Sequence, residues 1–250
     1  MILNLQADHS HDSETIKFAK SFSAWTEDIH YVLLILFLAP FLSRERFWYY
    51  TMAIQIASFS KINLKMLQSE PRPVWVWSDL SSLGCASSFG SPSGHSTRSS
   101  NLAFLVILDL FFASEWSQKK YAGLNRMTAK THKLIFSLVS LLAVTFWIMN
   151  LYDRVFLGKH TLNQVVLGSQ LGIWCAFFSH FVLRDSIFAH ITKLTGKAQE
   201  LTRAKAIRYC IYGSLCVVLP ILVTVLIGYT MNATQGLKQE WLINLRDTCG

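Results

Sequence analysis

Long apolar runs separated by short polar segments dominate the pattern along this chain. A helix that crosses a bilayer of about 30 Å needs ~20 residues, mostly apolar. Runs of this kind can be drawn at 29–43, 47–66, 96–115, 134–152, 162–183 and 209–231. The first run is short and lies close to the second, so we expect a helical hairpin there. The pattern predicts an all-α polytopic membrane protein, a bundle of six transmembrane helices.

Composition supports this class of protein. Hydrophobic residues make up 52% of the chain and charged residues 15%, which is unusual for a soluble domain. No repeat, low-complexity tract or long linker divides the sequence. We therefore predict a single membrane-embedded domain over 1–250, with a polar N-terminal tail at 1–28, a six-helix core at 29–231 and a C-terminal tail at 232–250. The first 28 residues have no apolar core, so we expect no cleavable signal peptide there.

The charges of the loops predict an orientation. Six spans place both ends on one face, and the loops at 44–46, 116–133 and 184–208 hold thirteen of the 23 Lys and Arg residues. By the positive-inside rule these loops are cytosolic, so the tails and the loops at 67–95 and 153–161 face the lumen or the outside. The net charge of +8 lies mostly in the cytosolic loops. It is therefore typical of a polytopic protein and does not indicate nucleic-acid binding.

Three segments on the predicted lumenal face carry residues suited to phosphate. The first contains Lys65 and Arg72, with Pro71 and Pro73 ending the second helix. An ammonium and a planar guanidinium held so close can approach the same anion. Lys and Arg at a helix end also commonly reach out to lipid headgroups, so this segment alone leaves both interpretations open.

The second segment is Pro92-Ser93-Gly94-His95, directly before the third predicted helix. A helix N-terminus exposes unpaired N–H groups and suits an anion. Gly94 would let the backbone approach a ligand, Ser93 could donate through its hydroxyl, and His95 could protonate a leaving oxygen. The alternative is an ordinary Ser-rich N-cap with an incidental histidine.

The third segment contains Asp153, Arg154, His160 and Gln164. If the fifth helix begins at about residue 160, His160 and Gln164 share one face, and Gln164 can accept a hydrogen bond from one imidazole nitrogen. That bond would aim the other nitrogen at phosphorus, as a nucleophilic histidine requires. A structural histidine at the membrane interface is the alternative.

Taken together, the segments K-x6-R-P, P-S-G-H and R-x5-H resemble the type 2 phosphatidic acid phosphatase superfamily, from Lys65 to about Gly168. By that resemblance His95 is the general acid and His160 is the nucleophile that forms a phosphohistidine. The resemblance assigns phosphate binding to Lys65, Arg72, Ser93, Gly94 and Arg154. It implies no metal and no organic cofactor, and the five cysteines show no metal-binding spacing.

Two positions depart from the usual family pattern. Asp153 stands where Ser is usual, and Gln164 stands where an Asp normally orients the nucleophile. A neutral amide stabilises an imidazolium less than a carboxylate does. The stretch 160–168 is nevertheless similar to the glucose-6-phosphatase and dolichyl-diphosphatase branches, which also carry Gln and whose sites face the endoplasmic reticulum lumen.

We therefore expect an integral-membrane phosphohydrolase with a lumenal site in the endoplasmic reticulum; a mitochondrial inner-membrane location stays open. Expected partners are membrane lipids and a phosphorylated lipid, isoprenoid or sugar substrate, and no nucleic acid. The alternative is a catalytically silent subunit that keeps this fold as a structural or lipid-binding part of a larger membrane complex with partner subunits.

Asp109 is an acidic residue within the third predicted helix. At 1.5 Å per residue it lies about 20 Å from His95 along the helix, too far to touch a substrate there. A carboxylate inside a membrane is a candidate functional group. We expect instead a protonated packing residue, bonded to a serine such as Ser58 or Ser60.

Overall fold

The computed structural model describes residues 13–25, 31, 34, 37, 39–77, 88–120, 129–195, 222, 223, 225, 226, 230 and 239–249. These residues form helices and no strand, which confirms the all-α class for the described part of the chain. The helices are α1 Ser13–Trp25, a short 3₁₀ helix Ala39–Phe41, α2 Arg44–Gln68, α3 Pro73–Val76, α4 Gly94–Lys120, α5 Ala129–Phe156, α6 Leu162–Phe178, a π-helical turn Ser179–Leu183, α7 Arg184–Thr195 and α8 Gln239–Cys249.

Two helical stretches in the described residues are long and apolar enough to cross a membrane, Leu134–Phe156 and Leu162–Lys193. The second is longer than the predicted run at 162–183, because the π-helical turn joins α6 directly to α7. The predicted runs at 47–66 and 96–115 lie within α2 and α4, which do not meet that test. The runs at 29–43 and 209–231 fall largely outside the described residues. Six spans therefore remain a prediction.

Helices α4 and α6 pack closely through small residues. A methyl group built on Gly168 would lie 2.5 Å from the carbonyl oxygen of Ser93, and one built on Gly172 would overlap the Ser100 hydroxyl. Ser100 Oγ donates to the carbonyl of Ser169 at 3.1 Å. Small residues at such a crossing let two backbones approach. The polar N-terminal half of α4 is thereby buried against α6.

The apolar core joins four helices, and the chain ends pack at its edge. The core cluster comprises Tyr49, Tyr50, Ala53, Leu105, Ala176 and Phe188, from α2, α4, α6 and α7. On another side, α1 packs on α5, where the rings of Phe22 and Phe146 are 6.0 Å apart. Helix α8 packs on α3, where Asn244 Nδ2 donates to the carbonyl of Trp75 at 2.9 Å. The predicted polar tails thus include two helices that dock on the bundle.

Asp109 is buried among cations and a tyrosine. Its Oδ2 lies 3.0 Å from Arg46 Nε and accepts a hydrogen bond from the Tyr50 hydroxyl at 3.3 Å. Arg184 Nη2 lies 3.5 Å from its Oδ1. We call Asp109, Arg46, Arg184 and Tyr50 the Asp109 cluster. It links α4 to α2 and α7.

The expected serine partners of Asp109 were wrong. Helices α2 and α4 run antiparallel, so Gly94 lies beside Lys61 and Asp109 lies beside Arg46. Ser58 is therefore nearer the other end of α4, and its hydroxyl accepts a hydrogen bond from Arg98 Nε at 3.3 Å. Ser60, two residues further along α2, interacts with Cys175 of α6.

Candidate active site

The first predicted segment lies where α2 ends and α3 begins. Ser69 takes a left-handed conformation, with φ of 47°, and its N–H caps α2 on the carbonyl of Lys65. Arg72 is the N-cap of α3, with Pro73 following it at the first position. Pro fixes its own φ and suits a helix start. The chain therefore turns sharply between Lys65 and Arg72. Lys65 Nζ donates a hydrogen bond to the carbonyl of Phe89 at 2.7 Å.

Arg72 connects the first segment to the third and to Ser88, which precedes the second. Its Nε donates to the carbonyl of Ser88 at 2.6 Å, and its Nη1 donates to the carbonyl of Lys159 at 3.1 Å. The same Nη1 lies 3.4 Å from Nε2 of His160. Burial, and secondarily the nearby Arg154, lower the pKa of the Arg72 guanidinium to about 10. It stays charged at neutral pH and is directed at the ring nitrogen of His160.

The second segment forms the N-terminus of α4. The N–H of Ser93 donates to the backbone carbonyl of Gln164 at 2.9 Å, which ties this turn to α6. The buried Nε2 of His95 has no hydrogen-bond partner among the residues that the structure describes. Burial lowers the pKa of this imidazole well below its ordinary value, and Arg154 and Lys159 lower it further. His95 is therefore neutral at physiological pH.

Asp153 and Arg154 lie in the last turn of α5, whereas the sequence places them in a loop. The carbonyl of Arg154 accepts the N–H groups of Lys159 and His160 at 3.1 and 3.3 Å. Gly158, with φ of 67°, lets the chain fold back in this way. Asp153 forms a buried ion pair with the Nη2 of Arg154. The unexpected carboxylate therefore neutralises one cation of the site.

His160 lies directly before the N-cap of α6, which begins at Leu162 and not at residue 160. Thr161 is the N-cap and forms a capping box with Gln164. Nδ1 of His160 lies 3.3 Å from Oε1 of Gln164, so the pair meets although only one partner is helical.

The hydrogen bonds of Gln164 assign the tautomer of His160. Its Nε2 donates to the carbonyl of Pro71 at 2.9 Å and to Oε2 of Glu70 at 3.2 Å. Its Oε1 therefore faces Nδ1 of His160 and the N–H of Thr161. Because an amide oxygen only accepts, Nδ1 carries the proton and the lone pair lies on Nε2.

The surroundings of His160 are cationic. Burial lowers its pKa well below the ordinary value, and Arg72, Lys65 and Arg154 lower it further. The imidazole is consequently neutral at physiological pH. The lone pair of its Nε2 lies within hydrogen-bond distance of the Arg72 guanidinium.

Two nearby residues were missed at the sequence level. Lys61, one turn before Lys65, is buried, and a methyl group built on Gly94 would lie 2.9 Å from its Cδ and 3.5 Å from its Nζ. Its i, i+4 spacing from Lys65 was the available signal. Glu70 reaches Gln164 across 94 positions of sequence, and no local pattern indicated that contact.

The geometry defines an all-helical protein with a buried histidine among cations at the end of its bundle. The PAP2 superfamily model matches residues 46–188, more than half of the chain and all three segments. The chain belongs to the PAP2 superfamily, the type 2 phosphatidic acid phosphatases that its motifs resemble. Membership supports a phosphatase-type function on phosphorylated lipids or similar substrates.

The glucose-6-phosphatase or dolichyl-diphosphatase branch stays a prediction. Neither a curated protein nor a solved structure matches the chain.

Proposed function

We propose that this chain is an integral-membrane phosphohydrolase that cleaves a phosphate monoester or an isoprenyl diphosphate through a phosphohistidine on His160. The observation that carries the proposal is the fixed orientation of that ring. Gln164 holds Nδ1 at 3.3 Å, and Nε2 lies 3.4 Å from the Arg72 guanidinium. A nucleophile needs such an oriented lone pair beside the group that binds its target.

In the first step Nε2 of His160 attacks phosphorus in line with the leaving oxygen. Negative charge on the phosphoryl oxygens is met by the cations that the segments bring together, and preorganised donors of this kind stabilise the transition state. These groups are Lys65, Arg72 and Arg154, with the Ser93 hydroxyl and the Gly94 amide. The N–P bond forms, the P–O bond breaks, and the proton of His95 passes to the leaving oxygen.

In the second step water attacks the phosphohistidine. His95, neutral after the first step, accepts a proton from the water, the P–N bond breaks and phosphate leaves. The pKa of His95 is lowered in the free protein, chiefly by burial. A bound phosphate dianion opposes that shift because it favours the imidazolium. The substrate itself therefore helps to protonate the acid that its cleavage needs.

The Gln164 position bears on the silent-subunit alternative. The amide oxygen accepts from Nδ1 and its nitrogen is held by Pro71 and Glu70, so the usual orienting role is filled without a carboxylate at position 164. This arrangement supports an active enzyme.

Lys61 supports a substrate with two phosphates. Its ammonium lies beside Gly94, in addition to the cations that the family motifs contain. An isoprenyl diphosphate carries more negative charge than a phosphate monoester, and its leaving group, an isoprenyl monophosphate, is well stabilised. A further cation therefore favours binding of the diphosphate. Lys61→Met should then lower hydrolysis of an isoprenyl diphosphate more than hydrolysis of glucose 6-phosphate.

Loop charge supports a site that faces the lumen of the endoplasmic reticulum. Trp77, an exposed residue just beyond α3, offers a reporter close to the site. A Trp77→Cys variant should react with a membrane-impermeant thiol reagent only after sealed vesicles with cytosolic side outwards are opened. Reaction in sealed vesicles would place the site on the cytosolic side.

The function is tested by phosphate release from protein purified in lipid. Glucose 6-phosphate, a phosphatidate and an isoprenyl diphosphate are compared, with His160→Ala alongside and His190→Ala as a control at an exposed histidine of α7. Loss of a nucleophile costs on the order of 10⁶ in rate, so release should vanish in His160→Ala. No release above this variant from any substrate would favour the silent subunit.

A further inference from the structure

The side-chain amide of Gln164 connects His160 to a carboxylate. Its Oε1 lies 3.3 Å from Nδ1 of His160, and its Nε2 donates to Oε2 of Glu70 at 3.2 Å. The family pattern places one carboxylate directly against the nucleophile. Here a neutral residue takes that position, and the carboxylate lies one residue further out.

We propose that Glu70 is a positioning residue of this site, and that the chain His160–Gln164–Glu70 takes the place of the usual His–Asp pair. The inference rests on the proposed function. A carboxylate that accepts from an amide N–H increases the negative charge on the amide oxygen, because the amide is conjugated and linked hydrogen bonds polarise one another. That oxygen then accepts more strongly from Nδ1.

The effect is largest when His160 forms its bond to phosphorus. Attack by Nε2 leaves the ring positively charged, with its proton on Nδ1. Arg72, Lys65 and Arg154 all disfavour positive charge on this ring. The polarised amide oxygen of Gln164 stabilises positive charge at Nδ1 and so opposes the effect of these three cations. No proton moves along the chain, because an amide oxygen accepts the Nδ1 hydrogen bond and an amide N–H donates to Glu70.

The backbone around Glu70 holds the carboxylate in place. The carbonyl of Glu70 accepts the N–H of Gly90 at 2.8 Å, and the next carbonyl, of Pro71, accepts from Gln164. A methyl group built on Gly90 would lie 2.5 Å from Nε2 of Gln164, so only glycine leaves room for the amide there. The side chain of Glu70 is exposed, so water screens its charge and the effect is moderate.

Glu70→Gln tests the charge while preserving the shape and an acceptor oxygen. By analogy with the hydrogen-bond partners of metal ligands, whose mutation typically costs 10–100-fold in activity, we expect kcat to fall about tenfold with KM nearly unchanged. The acid limb of the kcat/KM profile should move to lower pH, because the imidazolium of His160 loses a stabilising charge. Arg72, Lys65, Arg154 and His95, the other groups that act on this ring, are unchanged. Glu14→Gln, at an exposed carboxylate of α1, is the matched control.

Exchanging the side chains of Glu70 and Gln164 distinguishes an effect of the negative charge on His160 from an effect of hydrogen bonding alone. Gln164→Glu alone places two carboxylates together and should reduce activity. In the double variant Glu70→Gln with Gln164→Glu, an amide again faces a carboxylate and the charge lies directly against Nδ1. We expect its acid limb to return to the wild-type range, whereas the loss of the hydrogen bond to the Pro71 carbonyl keeps its kcat below that of the wild type.

The outcomes distinguish this proposal from the proposed function. Wild-type kcat and pH profile in Glu70→Gln, or a double variant whose acid limb stays where Glu70→Gln places it, would overturn the role of Glu70 and leave the phosphohydrolase intact. Failure of the wild-type protein to release phosphate from any substrate would instead overturn the proposed function.

Discussion

Two largely buried groups of charged residues lie along α4, one near its middle and one at its N-terminus, and they differ in charge balance. In the Asp109 cluster one carboxylate is shared by Arg46, Arg184 and the Tyr50 hydroxyl. At the N-terminus of α4 is the cationic site, which we define as Lys65, Arg72, Asp153, Arg154, His95 and His160. Its carboxylate, Asp153, is paired with Arg154. The nearby cations Arg72, Lys65 and Arg154 lower the pKa of His160, and Glu70 reaches its ring only through Gln164.

The difference indicates what each group is for. A buried ion pair whose members satisfy each other holds helices in register, and breaking it leaves an unpaired charge. Buried cations that crowd around a neutral histidine destabilise the empty site and favour an incoming anion. We therefore expect the Asp109 cluster to be structural and the cationic site to bind a ligand at the expense of stability.

Removing the carboxylate of the Asp109 cluster should give the largest loss of stability. Asp109→Asn leaves Arg184, which is buried, and Arg46 without their shared anion. Breaking a buried ion pair costs about 3–5 kcal/mol of unfolding free energy. Urea or thermal unfolding in detergent measures the change. Asp185→Asn, at an exposed carboxylate of α7, is the control and should stay within about 0.5 kcal/mol. Equal effects of the two variants would contradict a structural role.

Replacing Lys65 in the cationic site should reduce activity strongly and stability little, the reverse of what we expect for Asp109. Lys65→Met removes one hydrogen bond, to the carbonyl of Phe89, and relieves repulsion from Arg72. Hydrolysis should fall about 10²–10³-fold, as when one preorganised donor is lost. The unfolding free energy should change by no more than about 1 kcal/mol. Lys17→Met, at an exposed lysine, should leave both unchanged. A stability loss as large as that of Asp109→Asn would mean that Lys65 is structural.

Asp153 lies in the cationic site but resembles Asp109 in being paired. Asp153→Asn leaves Arg154 buried without this anion, so the free protein should lose stability. Inorganic phosphate should restore it, because a ligand at about 100 times its Kd stabilises by about 2.7 kcal/mol. Thermal unfolding with and without phosphate measures this. A phosphate-independent loss, as expected for Asp109→Asn, would place the phosphate elsewhere.

The pH dependence of stability should report the two buried histidines. The pKa values of His95 and His160 in the folded protein lie well below their ordinary value of 6.5. The unfolded chain therefore binds more protons below pH 6.5, and stability falls as the pH drops from there towards the folded pKa values. Each unit of lowering corresponds to about 1.4 kcal/mol. His160→Asn should flatten this slope between pH 6.5 and 5. An unchanged slope would mean that His160 is not buried in its neutral form.

The residue types and their motif spacing singled out Lys65, Arg72, His95 and His160 in the sequence, and the structure brings Arg72 and His160 together. Their meeting depends on contacts across 88 positions, as between Arg72 and His160. The family pattern supplied that long-range information, and hydropathy alone did not.

The residues that the sequence failed to place depend on how helices pair. The partners of Asp109 follow from the antiparallel register of α2 and α4, which apolar periodicity does not specify. Arg184 was placed in a cytosolic loop because a charge ends an apolar run, yet it is buried against Asp109 and the helix continues through it. Glu70 was overlooked because its carboxylate contacts a residue in another helix.

The two end helices give the site an order of assembly. Lys159, beside the nucleophile, donates to Ser23 of α1, 136 positions earlier. Trp75, three residues after Arg72, is held by Asn244 of α8, 169 positions later. During synthesis the contact that supports the Arg72 turn therefore forms only after 169 further residues have been added. Lys65, His95 and His160 are all made before α8, so we expect phosphatase activity to arise only after α8 has docked.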